Sequence, residues 1–285
     1  MERRYLQFLC GVGIYLPLLL LADTSGLLPQ LALGAATAAF LVFFSRRGQT
    51  APRQIIVAIV VATIGECVLS LGWGLYTYRH ALIPLYVPFG HGIFYALAAE
   101  TARQPALQRI APAITRGVLA AGSVIAVVSL LFFRDQWGLL WWVIAATLLV
   151  RSRNRLLLSA CFVFTMLLEW LGTAIGNWQW AAEVPFIGLH SANPPSGVGV
   201  LYIALDLITV AICTARRSNL QSAHATADSL VSRPPRLRCG RLHTHHLGCS
   251  ERQADDGDLP LRGGVPLPDR LAGRTRIQPG RARSR

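Results

Sequence analysis

The sequence is poor in charge, and most of the charge that it does have is of one sign. Only 14% of its 285 residues are charged, against about 25% in an ordinary soluble domain. It contains no lysine, so all 27 basic residues are arginine. Residues 1–217 hold only 15 arginines and eight acids, while residues 220–285 hold the other 12 arginines. This composition excludes a water-soluble globule for residues 1–217, and the net charge of +13 is no argument for nucleic-acid binding.

Several motifs that would indicate a particular chemistry are also missing. The apolar part contains no His-x-x-His or Glu-x-x-His pair, no Gly-x-Ser-x-Gly elbow, no Walker loop and no dinucleotide fingerprint. Four of the six cysteines lie in apolar stretches, where cysteine is usually a small packing residue, so we expect no disulfide framework. The sequence therefore predicts neither a metal nor an organic cofactor.

Long apolar runs dominate the first three quarters of the chain. A helix needs roughly 20 apolar residues to cross a bilayer. The fourth and sixth runs are short for this purpose. The predicted spans are Tyr5–Leu21, Leu27–Phe44, Gln54–Leu71, Pro88–Thr101, Ile114–Phe133, Trp137–Val150, Leu156–Ile175 and Ser196–Ala215. We therefore predict an all-α, polytopic membrane protein of about eight transmembrane helices.

The arginines predict the orientation of these spans. With the N-terminus inside, the inner segments carry 13 of the 15 arginines in residues 1–217, and only Arg79 and Arg134 lie outside. Cytoplasmic loops are enriched in arginine, so this split favours an N-in, C-in topology. We expect a multi-pass protein of the cell inner (plasma) membrane, with the lipid bilayer as its surroundings.

Two stretches of the chain share an extended pattern. An acid near the end of a helix is followed by Gly-x-aromatic-x-aromatic, and after a loop by Pro-x-Gly-x-Gly and a tyrosine. The first copy consists of Glu66, Gly74, Tyr76, Tyr78, Pro88, Gly90, Gly92 and Tyr95. The second consists of Glu169, Gly176, Trp178, Trp180, Pro195, Gly197, Gly199 and Tyr202. We interpret residues 1–112 and 113–217 as two four-helix repeats, and residues 218–285 as a disordered Arg/Pro/Gly-rich cytoplasmic tail.

Four spans per repeat return the chain to the same side of the membrane. The two repeats would therefore be parallel, related by an axis near the membrane normal. Both copies of the pattern then lie at the outer face, and we expect a shared central cavity that opens outward.

Three acids inside the predicted spans are candidate catalytic residues: Glu66, Glu169 and Asp206. A charge within a bilayer is unfavourable by several kcal/mol, so such groups usually face a cavity or a partner. Two acids in one cavity would separate into a proton donor and a proton acceptor. The alternative is that the glutamates are structural hydrogen-bond partners between helices.

Aromatic and polar side chains near these acids are candidates for binding a substrate. Aromatic walls hold lipophilic molecules and stabilise a transient cation through the ring face. The alternative is an interfacial aromatic belt. The candidate substrate-binding residues are Trp73, Tyr76, Tyr78, His91, Trp178, Trp180, His190, Asn193 and Tyr202.

The segment Glu169-Trp-Leu-Gly-Thr-Ala-Ile-Gly176, ending in Trp178 and Trp180, resembles a signature of the carotenoid-biosynthesis membrane proteins that include the carotenoid 1,2-hydratases. A weaker version of it surrounds Glu66. The resemblance implies an isoprenoid substrate and the acid-catalysed addition of water to an alkene.

Three functions fit these observations. The first is an enzyme that acts on a lipophilic, isoprenoid-type small molecule by carboxylate acid/base chemistry. The second is a small-molecule or proton-coupled transporter, which parallel repeats and intramembrane acids also suit. The third is a non-catalytic membrane assembly protein, in which the acids hold helices together.

Overall fold

The computed structural model of the chain describes residues 2–23 and 26–231, and beyond residue 215 only the course of the backbone. Helices make up most of the described residues. Up to residue 109 they are α1 (Arg3–Leu21), α2 (Leu27–Ser45), α3 (Pro52–Glu66), α4 (Val87–Arg103) and the short α5 (Pro105–Arg109). They continue with α6 (Ala111–Phe133), α7 (Gln136–Arg151), α8 (Arg155–Ile175) and α9 (Val200–Val231). Each of the eight apolar runs overlaps one of these helices, and α5 is additional.

Five of the helices are long and apolar enough to cross a membrane. They are α1, α2, α6, α8, and α3 together with the π-helical turn Cys67–Gly72 that continues it. The apolar part of α9 and the whole of α7 are shorter, at 10–17 residues, and α4 has 17 residues. The protein is mostly helical, and its apolar helices are compatible with an integral membrane protein.

Local sequence explains where several helices begin and end. Proline occupies the first turn of α3, α4, α5 and α6, where its missing N–H is tolerated. The side chain of Asp135 caps α7 by accepting a hydrogen bond from the Gly138 N–H at 3.0 Å. Gly176 ends α8 in the left-handed conformation, with φ of 81°, which glycine adopts without strain.

Two short strands follow α3 and α8, where the sequence predicts only loops. Strand β1 is Tyr76–Tyr78 and β2 is Trp178–Trp180, and they pair antiparallel. The middle residues, Thr77 and Gln179, face each other and are exposed, while the four aromatic residues are buried. We call the end of the helix bundle that carries these strands the sheet end.

The helices α3, α4, α8 and α9 form a ring at the centre of the fold. In this ring α4 packs against α3 and α8, and α9 packs against α3 and α8. Helix α1 packs on α4 and α8, and α2 packs on α4. Helix α6 packs on α7 and α8, and α7 also reaches α9. The predicted repeats therefore meet mainly through their third and fourth helices, with α1 as a further contact to α8.

The last helix extends beyond the predicted start of the tail. The sequence predicts disorder from residue 218, whereas the backbone of α9 continues to Val231. The rest of the predicted tail, residues 232–285, lies outside the described residues. That part includes both cysteines of the tail, at positions 239 and 249, and three of its histidines, at positions 243, 245 and 246.

Candidate active site

Glu66, the last residue of α3, is hydrogen-bonded to three side chains. The hydroxyls of Tyr76 and Tyr78 both donate to its Oε2, each at 2.7 Å. The His91 Nε2 lies 2.9 Å from the other oxygen, Oε1. The π-helical turn after Glu66 and strand β1 return the chain so that the two tyrosines contact the acid, and α4 supplies the histidine. Both oxygens of this buried carboxyl are therefore occupied by side-chain partners.

The His91 ring links Glu66 to the second half of the chain. Its Nδ1 lies 2.6 Å from the hydroxyl of Tyr202 in α9. With Glu66 ionised, the consistent arrangement has His91 Nε2–H donating to Glu66 and the Tyr202 hydroxyl donating to His91 Nδ1. Glu66, His91 and Tyr202 then form one continuous hydrogen-bonded chain.

Glu169, in the last two turns of α8, has a different set of partners. The indole N–H groups of Trp178 and Trp180 both donate to its Oε2, at 2.8 and 2.9 Å. No described residue forms a hydrogen bond with its Oε1, and the side chain lines a cavity. Gly172, one turn after Glu169, leaves room for Trp178, because a Cβ at this position would overlap the indole ring. Glu169 therefore has one anchored oxygen and one free oxygen.

The two acids are connected by tilted and edge-on contacts between aromatic rings of the paired strands. The Tyr76 ring centroid lies 4.6 Å from that of Trp180, and the Tyr78 centroid lies 6.0 Å from that of Trp178. Each pair joins a donor to Glu66 with a donor to Glu169. Trp141 of α7 packs edge-on against Trp180 at 5.7 Å and supports it from behind.

The tyrosines of β1 are neutral donors. Burial, followed by the charge of the nearby Glu66, raises the pKa of Tyr76 and of Tyr78 well above the ordinary value. Phenolate is unfavourable here because the ring is removed from water and faces an acid. Both hydroxyls therefore keep their protons and donate them to Glu66 in hydrogen bonds.

Both acids line one cavity of about 420 Å³ inside the ring of four helices. Its polar lining consists of the acids and their donors, together with Tyr86, Thr165 and Tyr202. The rest of its wall is leucine, isoleucine, valine, phenylalanine, alanine and glycine from α1, α3, the π-helical turn, α4, α8 and α9. The predicted site residues that line it are Glu66, Glu169, Tyr76, Tyr78, His91, Trp178, Trp180 and Tyr202.

The structure differs from the sequence prediction at the sheet end of this cavity. Strands β1 and β2 lie across the sheet end, with their aromatic side chains lining the cavity and Thr77 and Gln179 exposed on the far side. The sheet therefore covers the cavity at the end where the sequence predicts an opening.

Four predicted site residues do not line the cavity. Asp206 is 5% exposed in α9, but its side chain is not part of the cavity wall. The Trp73 indole donates to the carbonyl of Pro185 at 3.0 Å. His190 pairs through its backbone with Glu183 in the loop after β2. The structure therefore does not bring these three residues together with Glu66 and Glu169. For Asp206, the position along the helix predicted its depth but not the helix face that it occupies.

Asn193, the fourth of these residues, has a supporting position. Its Oδ1 accepts a hydrogen bond from the backbone N–H of Trp180 at 3.0 Å. This bond fixes the strand that carries both indole donors to Glu169. Asn193 therefore positions the site without touching the cavity.

Two buried aspartates at the sheet end were not predicted as part of the site. Asp135 accepts hydrogen bonds from the backbone N–H groups of Gly138, Ala192 and Ser196 at 2.8–3.0 Å. It thereby anchors the start of α7 to the loop that leads into α9. The sequence did contain a signal that could have identified these residues, because each predicted repeat has an aspartate directly after its first helix.

Asp23 is the corresponding acid after α1. Its Oδ2 accepts a hydrogen bond from the Asn177 side chain at 3.1 Å, and Asn177 also donates to the carbonyl of Leu20 at 2.9 Å. Arg79, the residue after β1, donates to the carbonyls of Ile175 and Gly176 at the end of α8. These contacts hold the two predicted repeats together beside the strands.

Among residues 2–23 and 26–231, no group of three or more His, Cys, Asp and Glu side chains is arranged to hold a metal ion. No protein-family model, curated protein or solved structure matches this chain.

Proposed function

We propose that the chain is an eight-span membrane protein made of two parallel four-helix repeats. The strand pairing supports this arrangement. In the repeated motif, Tyr76 and Trp178 are the first aromatic residue, and Tyr78 and Trp180 are the second. Tyr76 pairs with Trp180 and Tyr78 pairs with Trp178, so the first aromatic residue of each copy pairs with the second of the other copy. Such reciprocal contacts are the property of a two-fold axis.

The hydrogen bonds beyond the strands follow the same rule. The Arg79 N–H donates to the Asn177 carbonyl at 2.8 Å, and the Ala181 N–H donates to the Leu75 carbonyl at 2.9 Å. Arg79 corresponds to Ala181 in the repeat, and Leu75 to Asn177. Helix packing agrees, because α4 packs against α8 as α9 packs against α3. With the arginine distribution, this supports an N-in, C-in protein of the plasma membrane.

We further propose that this protein is an enzyme that acts on a lipophilic, isoprenoid-type substrate by acid/base chemistry between Glu66 and Glu169. One observation carries the proposal: two acids at equivalent repeat positions share one apolar cavity but have unlike partners. Equivalent structural clamps would keep equivalent partners. Unlike partners instead give the two carboxyls different proton affinities, as a donor and an acceptor require.

We assign Glu169 as the proton donor. Its Oε2 is held by two indole N–H groups, and its free Oε1 faces an apolar cavity in which the neutral, protonated acid is favoured. The O–H bond of Glu169 breaks as its proton adds to one carbon of an alkene, whose π electrons form the new C–H bond. The other alkene carbon becomes a cation.

Aromatic faces stabilise that cation. Tyr76, Trp178 and Trp180 line the cavity beside the acids, and a cation over a ring face gains about 0.5–2 kcal/mol per ring. A water molecule then adds through its oxygen to the cationic carbon. The added water then loses its extra proton to Glu66. Transfer of a proton from Glu66 back to Glu169 restores the starting state. The product is an alcohol heavier than the alkene by one water.

Glu66 acts as the proton acceptor because three donors stabilise its charge. These are the hydroxyls of Tyr76 and Tyr78 and the His91 ring, which Tyr202 orients from the other side. In the second repeat Val198 occupies the position that corresponds to His91. The repeat symmetry is thus broken at the residue that separates the two roles.

A transporter needs a polar path to the opposite end of the bundle. Asp206 is the candidate for such a path, and its absence from the cavity wall favours the enzyme over the transporter. An assembly protein would keep the acids only for stability, which the variants discussed below distinguish from catalysis.

Deuterium transfer from water to a lipid tests the proposed chemistry. Purified protein in phosphatidylcholine vesicles would be incubated in D2O with a neutral lipid extract of the host cells. We expect isoprenoid alcohols with deuterium bound to carbon, detected by mass spectrometry, and none with Glu169→Gln. Equal deuterium incorporation by wild type and Glu169→Gln would contradict the assigned role.

A further inference from the structure

The most exposed of the residues that line the cavity lie on one side of the helix ring. On the side of α1, the lining residues Leu19 and Leu20 are only 5% and 1% exposed. On the opposite side, three lining residues are much more exposed. Ile64 of α3 is 59% exposed, Val68 of the π-helical turn is 55% exposed, and Ile208 of α9 is 47% exposed. We call the opening at Ile64, Val68 and Ile208 the α3/α9 mouth.

Unequal covering of two equivalent grooves explains this opening. In the ring, the groove between α4 and α8 corresponds to the groove between α9 and α3. Helix α1 packs on the first groove and inserts Leu16, Leu19 and Leu20 into the cavity wall. Helix α6, the counterpart of α1, packs instead on α5, α7 and α8 within the described chain. Among the described helices, none is placed over the α3/α9 groove as α1 is over the α4/α8 groove.

The surface around the mouth is apolar. On α3, Ile56 and Val60 are 60% and 52% exposed, and on α9, Leu207 and Ile212 are both 44% exposed. Exposed side chains of this kind face lipid in a membrane helix. In a membrane-spanning bundle, a mouth with this apolar rim would face the hydrocarbon of the bilayer.

We propose that the α3/α9 mouth admits an uncharged hydrocarbon chain directly from the bilayer to Glu66 and Glu169. The proposal rests on the proposed function and specifies its substrate as a lipid-dissolved molecule. A charged headgroup is disfavoured because the residues that define the mouth, Ile64, Val68 and Ile208, are aliphatic and offer it no partner, and an unpaired charge within a bilayer is unfavourable. The irregular π-helical turn Cys67–Gly72, of a kind often found at functional sites, forms one edge of the opening.

Site-specific labelling from the lipid phase tests this route. Leu205→Cys places a thiol on the cavity wall, and a long-chain alkyl maleimide dissolved in phosphatidylcholine vesicles is the probe. Peptide mass spectrometry measures the rate at position 205 separately from the native cysteines. We expect Val68→Phe with Ile208→Phe to slow labelling by at least about tenfold, a barrier increase of ~1.4 kcal/mol. Val124→Phe, on the exposed face of α6 away from the cavity, should leave the rate unchanged.

Two results would overturn the route. One is an unchanged alkyl-maleimide rate in the Val68→Phe/Ile208→Phe protein, and the other is faster labelling by a sulfonated, water-soluble maleimide than by the alkyl probe. Ala204→Cys, also on the cavity wall, replaces Leu205→Cys if the latter does not fold. Labelling needs no catalysis, so a Glu169→Gln protein should label normally. The labelling rates therefore test the route even if the proposed chemistry is wrong.

Discussion

Replacing Glu169 by glutamine separates the need for its proton from the need for its hydrogen bonds. The amide oxygen of glutamine can accept the same N–H groups of Trp178 and Trp180 that Oε2 accepts at 2.8 and 2.9 Å. The loss of stability is then about 1 kcal/mol or less, the difference between two satisfied acceptors. For a chain of this size, that corresponds to a fall in melting temperature of about 2–4 °C. The missing proton donor, by contrast, lowers the reaction rate by about 10²–10⁴-fold.

The matched variant Glu66→Gln should lose more stability. Oε2 of Glu66 accepts from Tyr76 and Tyr78, and Oε1 is bonded to His91. Glutamine offers one oxygen and one NH2 group, so one of these partners loses its acceptor unless the His91 ring changes tautomer. A buried partner left unsatisfied costs about 1–3 kcal/mol, which lowers the melting temperature by roughly 2–12 °C.

Both variants would be measured in detergent by the loss of helical circular dichroism on heating, beside the rate of deuterium transfer. A folded, inactive Glu169→Gln protein agrees with a catalytic acid. The reasoning is refuted if Glu169→Gln is destabilised as strongly as Glu66→Gln, or if neither protein accumulates. The acids would then be clamps between helices, as in a non-catalytic assembly protein.

Three other substitutions or titrations test parts of the site. A Cβ in Gly172→Ala would overlap the Trp178 indole, so we expect a loss of ~1–3 kcal/mol in thermal unfolding, whereas Gly117→Ala, with open space beside it, should melt like wild type. Asp135→Ala leaves three backbone N–H groups without their acceptor and should lose at least about 3 kcal/mol, measured in the same way. Burial raises the pKa of the two β1 tyrosines, so above the ordinary tyrosine value of about 10 only the unfolded chain ionises them. Stability should therefore fall as the pH rises past that value, and the fall should be smaller when both tyrosines are replaced by phenylalanine.

The helices were predictable because their signal is local. Each apolar run is long enough to be recognised without knowing what it packs against, and the described helices coincide with the runs. The sequence also selects Glu66 and Glu169 with their following aromatic residues as a candidate site. The structure places them in one cavity. Their catalytic role stays a prediction.

The strands and the distribution of the acids could not be predicted in the same way. Three-residue strands have too little local pattern, and β1 and β2 form only because chain segments about 100 residues apart meet. Asp206 was grouped with the glutamates because it lies inside a span, but its helix face depends on how α9 packs. The support given by Asp135 was missed because its partners, Ala192 and Ser196, follow it at long distance in the sequence.

The most direct test of the account is the lipid content of cells with and without this gene. Extracts would be compared by mass spectrometry, with a third strain that carries Glu169→Gln as the control. The account predicts an isoprenoid species heavier by one water in the wild-type strain alone. An isoprenoid profile that is the same in all three strains would contradict it.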